Sequence, residues 1–188
     1  MTPDPSLAVD DDGALLRYGR LAPALILDLD GTVRRHKDDP EGFINTADEV
    51  ALFPDVEEKA WAYRDAGHLV LGVSNQGGVA FGHKTPESFW AELEAMSSLW
   101  ERGDPFHLIK ASFHHPGGNV VPYCSARSLL RKPSHGMLAL MELELFQEGY
   151  VVDWDRSLFV GDRPEDQKCA EGAGIRFEWA AEFFGREQ

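Results

Sequence analysis

Apolar residues cluster in short runs along the chain, at Leu21–Asp28, His68–Val73, Phe106–Phe113, Ser157–Gly161 and Ile175–Glu178, and each run reads as a β-strand. Segments of helical period separate them. Phe53-Pro54-Asp55 opens a helix through Ala66, closed by Gly67 in the C′ position. Thr85-Pro86-Glu87 offers a hydroxyl cap, a first-turn proline and an acid at the positive end, and predicts a helix to about Arg102. Ser134 caps a third helix to about Gln147, whose Met137, Leu138, Met141 and Leu145 share one face and read as core. Pro164 to Ala173 forms a fourth. Strands alternating with helices predict an α/β fold, a parallel sheet with helices on both faces.

The intervals carry information too. Met1 to about Arg20 has no sustained period and reads as a mobile arm or an edge extension, leaving residues 21–188 as a single domain without repeat or linker. The polar stretch Arg34–Asp48 reads as a loop or small flap, and a long loop directly after a functional strand is more often functional than idle. Pro116–Ser128 is irregular. Phe177-Glu178-Trp179 with Phe183-Phe184 is expected to cover a sheet edge. The five tryptophans are scattered and read as packing.

Composition narrows the function classes. At 188 residues and 43% apolar content the chain can bury a sound core without staples. A formal net charge of −14 disfavours long-range attraction to nucleic acid or an anionic membrane, although a local basic groove could survive it. Two cysteines, Cys124 and Cys169, make no disulfide framework and point to a reduced cytoplasmic setting. No apolar run is long enough to span a bilayer, and the acidic start does not read as a signal peptide. Nothing in the sequence specifies an oligomeric state.

The chemistry gathers where strands end. Leu25-Ile26-Leu27-Asp28-Leu29-Asp30-Gly31-Thr32 closes an apolar run with two carboxylates, then a glycine and a hydroxyl. Such a run is either a solvated Asp-Gly turn or a pair of acids at the carboxyl end of a buried strand, where open α/β sheets put their ligands. Two close carboxylates repel, so the second arrangement wants a divalent cation, a shared proton, or both. Later strand ends favour it: Ser74 and Asn75 close the second, Asp162 and Asp166 follow the fourth, and Lys132 stands at a helix start. A cation at a helix N-terminus is unfavourable with the dipole and asks for an anion nearby. Asp166 is equally readable as a first-turn acid interacting with its own helix dipole.

Asp28-Leu29-Asp30-Gly31-Thr32, Ser74-Asn75-Gln76-Gly77, Arg131-Lys132-Pro133 and Val160-Gly161-Asp162 resemble, in order, the four motifs of haloacid dehalogenase (HAD) superfamily phosphatases over about Leu21 to Ala180. The Ser-Asn-Gln and Arg-Lys-Pro spellings are similar to the group holding heptose bisphosphate phosphatases, histidinol-phosphate phosphatases and polynucleotide 3′-phosphatase domains. The resemblance implies a Rossmann-like doubly wound sheet with small flaps and no large cap domain. It implies that Asp28 is the nucleophile and that Asp30 is the acid and base, kept protonated by crowding from another carboxylate. It further implies that Ser74 and Lys132 bind the phosphoryl group, and that Thr32, Asn75 and Arg131 lie at the substrate. Mg²⁺ would be held by Asp28, the backbone carbonyl of Asp30, and Asp162, with Asp166 in or near the shell.

One stretch departs from the resemblance. Heptose-type members carry a structural zinc loop, of which this chain keeps His114 and Cys124 but has Ser112 and Ala126 at two ligand positions. Structural zinc normally closes four ligands, so the expectation is a metal-free loop. The expected activity is Mg²⁺-dependent hydrolysis of a small phosphate ester through an aspartyl-phosphate. The alternatives are a polynucleotide 3′-phosphatase acting on nucleic-acid ends and a non-catalytic, phosphate-responsive protein; a dead scaffold would be expected to have lost an acid, and none is lost.

Overall fold

The computed structural model describes residues 19–39 and 42–186. In chain order the elements are β1 (Arg20–Asp28), β2 (Arg34–His36), β3 (Val50–Leu52), α1 (Val56–Asp65), β4 (Leu69–Asn75), α2 (Gly78–Phe81), α3 (Pro86–Ser98), β5 (Leu108–Ser112), α4 (Gly136–Gln147), β6 (Tyr150–Gly161), α5 (Pro164–Gly172), β7 (Arg176–Trp179) and α6 (Ala180–Phe184). From Ala22 onward β1 is buried on both faces, which is why it reads as a continuous apolar run instead of an alternating one. It lies between β4 and β6 in a five-stranded parallel sheet of order β5-β4-β1-β6-β7. The chain builds outward from β1 to β5, then returns to lay β6 on β1's other side. That reversal opens a crevice at the carboxyl ends of β1, β4 and β6.

Side-chain alternation splits the core into two layers. Leu25, Leu27 and Leu29 pack with Val56 and Ala60 of α1, Phe89 and Met96 of α3, and Phe183 and Phe184 of α6. Ala24 and Ile26 pack on the opposite face with Met137, Leu138, Met141 and Leu145 of α4 and Cys169 and Ala170 of α5. The sheet is therefore covered on both sides, as doubly wound folds require.

Four details differ from the sequence reading. Strand β6 begins at Tyr150, not Ser157; its first residues pair with Arg20–Pro23 before the register shifts between Pro23 and Leu25. Ser157 repairs that irregularity, with Oγ accepting from Ala24 N–H at 2.8 Å and donating to the Asp153 carbonyl at 2.6 Å. Helix α3 ends at Ser98 instead of Arg102, and α4 starts at Gly136 behind His135. Phe183 and Phe184 do not cover a sheet edge: they sit on α6 and are buried in the layer under α1.

The Arg34–Asp48 stretch starts as β2 and leads back to β3, which pairs antiparallel with β2 at the base of a small flap. Among the described residues, no large cap interrupts the chain after β1 or β4. The arm expected over residues 1–20 lies, except for Gly19 and Arg20, outside the described residues. Among the described residues, no helix is long and apolar enough to cross a membrane.

Candidate active site

One close approach brings the ends of β1 and β6 together, and a second seats the first turn of α5 on the end of β6. Gly31 has φ of 92°, and a Cβ there would stand 2.2 Å from Asp162 Oδ2, so only glycine admits both the turn and the acid. A Cβ on Gly161 would stand 2.4 Å from Asp166 Cβ. With both side chains missing, carboxylate oxygens of Asp28, Asp162 and Asp166 come within 4.8 Å of one another. The Lys132 ammonium inserts between two of them, ion-paired with Asp28 and, at 2.6 Å, with Asp166. Asp166 also caps α5, its Oδ2 accepting from Arg163 N–H at 3.0 Å, so the helix-start and cluster readings both hold for it.

Three acids, two of them buried, against one lysine leave an excess of negative charge. Burial pushes the Asp28 carboxyl well up; Lys132 opposes this, while Asp166, Asp162 and Asp30 add to it. Burial and then Asp166 raise Asp162 as well. Burial alone would lower Lys132, but Asp28 and Asp166 outweigh it and hold the ammonium charged far above neutrality. An all-oxygen donor set with surplus charge fits a hard divalent cation such as Mg²⁺.

Asp30 departs from the sequence reading. Its carboxylate is not part of the three-acid cluster and is not pushed toward protonation. Burial would raise it, but Arg34, Lys84 and Gln76 together hold it below the usual carboxylate range. Arg34 Nε donates to Asp30 Oδ1 at 2.8 Å, while Ser74 Oγ at 3.2 Å and Gln76 Nε2 donate to Oδ2. Gln76 also donates to Ser74 Oγ at 2.8 Å. Crowding by a second acid falls on Asp28 instead.

Asn75, Arg131 and Thr32 are placed differently from one another. Asn75 brackets the Lys132 main chain with both halves of its amide. Arg131 lines a cavity of about 1160 Å³ that opens beside the acids, together with Asp30, Asp162, Arg163, His115 and, from the flap, Arg35, His36, Phe43 and Ile44. A smaller recess, lined by Asp28, Ser74, Lys132 and Asp166, shares Asp30, Asn75 and Arg163 with it. Thr32 is fully buried, lines neither space, and its Oγ1 has no hydrogen-bond partner. Sequence reasoning gave no role to Gln76, Lys84 or Glu92. The signal for the last was legible: an acid on the apolar face of α3, between Phe89 and Met96.

The loop compared above with a zinc loop is tied by its own hydrogen bonds. His114 Nδ1 meets Ser128 Oγ at 2.9 Å, His115 Nδ1 accepts from Gly117 N–H at 3.0 Å, and His115 forms a bridge with Cys124. Ser112 is buried with Oγ unpartnered. Cys124 is exposed and free.

Comparisons with known proteins bear on the family and the fold. Residues 24–184 match the family described as polynucleotide kinase 3 phosphatase. A D-glycero-beta-D-manno-heptose-1,7-bisphosphate 7-phosphatase from Yersinia pestis is 34% identical over 154 residues, covering 81% of this chain and 77% of the relative. A crystal structure of a HAD-like phosphatase from Mesorhizobium loti is 30% identical, with a TM-score of 0.69 over 84% of this chain and 73% of its own. The fold of D,D-heptose 1,7-bisphosphate phosphatase from B. bronchiseptica, solved with magnesium and phosphate, aligns at a TM-score of 0.67 with 24% identity, over 82% of this chain and 78% of its own. With four ordered motifs converging at the carboxyl ends of one doubly wound sheet, the chain belongs to the haloacid dehalogenase-like phosphatases.

Proposed function

We propose that this protein hydrolyses phosphate monoesters of small sugar-like metabolites, with Mg²⁺, through an aspartyl-phosphate on Asp28. The observation that carries the reading is the position of Lys132 Nζ, wedged between Asp28 and Asp166 inside the three-acid cluster. It leaves one carboxylate beside both a fixed positive charge and a cation's donor set. A carboxylate oxygen of Asp28 attacks phosphorus while the bond to the leaving oxygen breaks, and Asp30 gives that oxygen its proton. Water then gives a proton to Asp30 and attacks the same phosphorus, releasing phosphate and restoring Asp28. Lys132 and Ser74 bind the phosphoryl oxygens, over which the transition-state charge spreads.

Asp28, Asp162, the main-chain carbonyl of Asp30 and, at the shell's edge, Asp166 would hold the Mg²⁺, which when bound neutralises charge on the acids and phosphoryl oxygens. Asp30 rests ionised beside Arg34; the negative phosphoryl group arriving next to it raises its proton affinity. Arg131 faces the substrate from the cavity wall, whereas Asn75 serves mainly to hold Lys132. Thr32 supports the turn from within. We take the 112–126 loop to be metal-free, held by the His114 and His115 bonds, and the enzyme to work in the reduced cytoplasm with both cysteines free.

Substrate class follows from the heptose bisphosphate phosphatases among the relatives. A second reading, hydrolysis at a nucleic-acid 3′ end, draws on the family description and on the breadth of the cavity, with Arg35 and His36 on its wall. The net charge of −14 weighs against it. Phosphate release from a panel of sugar phosphates and 3′-phosphorylated oligonucleotides, with Mg²⁺ or with chelator, separates the two. Activity surviving in Asp28→Asn would remove the covalent mechanism.

A further inference from the structure

Glu92 lies in the middle of α3 without exposed surface, between the buried side chains of Phe89 and Met96. A lone carboxylate in such a layer would carry a heavy desolvation cost. Two cations meet it: Lys84 Nζ stands 2.5 Å from Oε1 and Arg34 Nη2 stands 3.1 Å from Oε2. Both lie near the Phe89 ring, at 5.6 and 5.4 Å from its centroid. Each cation then leads to the acid beyond β1. Arg34 Nε donates to Asp30 Oδ1 at 2.8 Å. Lys84 Nζ donates to Gln76 Oε1 at 2.9 Å, and Gln76 Nε2 donates to Asp30 Oδ2.

The five side chains therefore close a ring, Asp30–Arg34–Glu92–Lys84–Gln76, that grips Asp30 by both oxygens. Lys84 gives a third donor to the Ile44 carbonyl at 3.0 Å, so the flap is tied to the same ring. Glu92 itself lines neither the cavity nor the recess. Replacing a buried ion pair or triad with apolar residues of similar volume is often neutral or stabilising; stability is a weak reason for the ring.

We propose that Glu92 is a positioning residue: acting through Arg34 and Lys84, it fixes the Asp30 carboxylate in the orientation that proton transfer to the leaving oxygen requires, and sets the Ile44 flap against it. This rests on the reading of Asp30 as the acid. A positioning role has a kinetic signature that a structural one lacks, because only substrates with poor leaving groups need the proton.

The test compares kcat/KM for an alkyl phosphate and for 2,4-dinitrophenyl phosphate, whose leaving oxygen departs as a stable anion. Glu92→Gln should lower the alkyl value by about tenfold or more, within the range general acid catalysis supplies, and leave the aryl value within about twofold. Lys84→Met should repeat that selectivity. Equal losses on both substrates, no loss on either, or unfolding of both variants in thermal melts would overturn the proposal. Asp30→Asn is the control. If it shows no preference between the substrates, the reading of Asp30 has failed; if it does and the Glu92 and Lys84 variants do not, the ring alone has failed.

Discussion

Asn75 holds Lys132 by both of its main-chain polar groups, its Oδ1 accepting from Lys132 N–H and its Nδ2 donating to Lys132 C=O, each at 3.0 Å. Lys132 is thus fixed by its backbone as well as by the acids around its ammonium. Asn75→Asp keeps the shape and one acceptor but loses the donor, leaving a carboxylate against a carbonyl. We expect kcat/KM to fall by about 10²-fold, the penalty of a misplacement near 1 Å, with no more than about 1–3 kcal/mol lost in urea unfolding. Unchanged kcat/KM would mean that Lys132 keeps its place without the bracket.

The three-acid cluster predicts opposite signs for stability with and without metal. In chelator, Asp162→Asn removes one of the like charges that burial and Asp166 already disfavour, and should raise the melting temperature. In millimolar Mg²⁺ the wild type should gain stability with concentration, about 1.4 kcal/mol per decade above its dissociation constant, and the variant should gain less. Equal Mg²⁺ responses by calorimetry would argue that Asp162 is not a ligand.

How much of this was legible in the sequence follows from how local each signal is. The strand ends carrying Asp28, Ser74 and Asp162 announce themselves, because an apolar run that stops at a polar residue is a contiguous pattern. Gly31 leaves space for Asp162 from a distant segment and Gly161 for Asp166 from the next turn, and nothing in their immediate neighbours says so. Asp30 is the clearest failure. Its neighbour in sequence is another acid, which argued for a raised proton affinity, but its neighbours in space are Arg34, Gln76 and Lys84, which reverse the sign. The extension of β6 back to Tyr150 was hidden because Asp153, Asp155 and Arg156 break the apolar run where the register shifts.

Arg186 secures the back of the turn at Gly31 and Thr32. It donates to the carbonyls of Gly31 at 3.3 Å and Thr32 at 2.8 Å, pairs with both oxygens of Asp55 at 2.8 Å, and lies over Phe53 and Phe184. Arg186→Ala should cost about 2 kcal/mol in equilibrium unfolding, the scale of hydrogen bonds to a charged group. Arg186→Lys should recover only part of it, since an ammonium lacks the planar fork. A loss below about 0.5 kcal/mol in the alanine variant, the range of ordinary surface changes, would remove the strap from the account.

His107 predicts how stability depends on pH. Its Nδ1 accepts from Val70 N–H at 3.0 Å, a bond only the neutral form of that nitrogen can make. Burial, with Arg64 nearby, lowers its proton affinity below the ordinary value of 6.5, and burial lowers His68 in the same direction. The unfolded chain then binds more protons than the folded one just below pH 6.5, so stability rises with pH across that window and is lost as pH falls through it. The contribution is complete above 6.5 and exhausted below the folded value. His107→Gln cannot titrate, so its unfolding free energy, measured by urea between pH 7.5 and 5, should fall less steeply than the wild type's. Parallel slopes would show that His107 takes up its proton equally in both states, and that the Val70 bond does not discriminate between them.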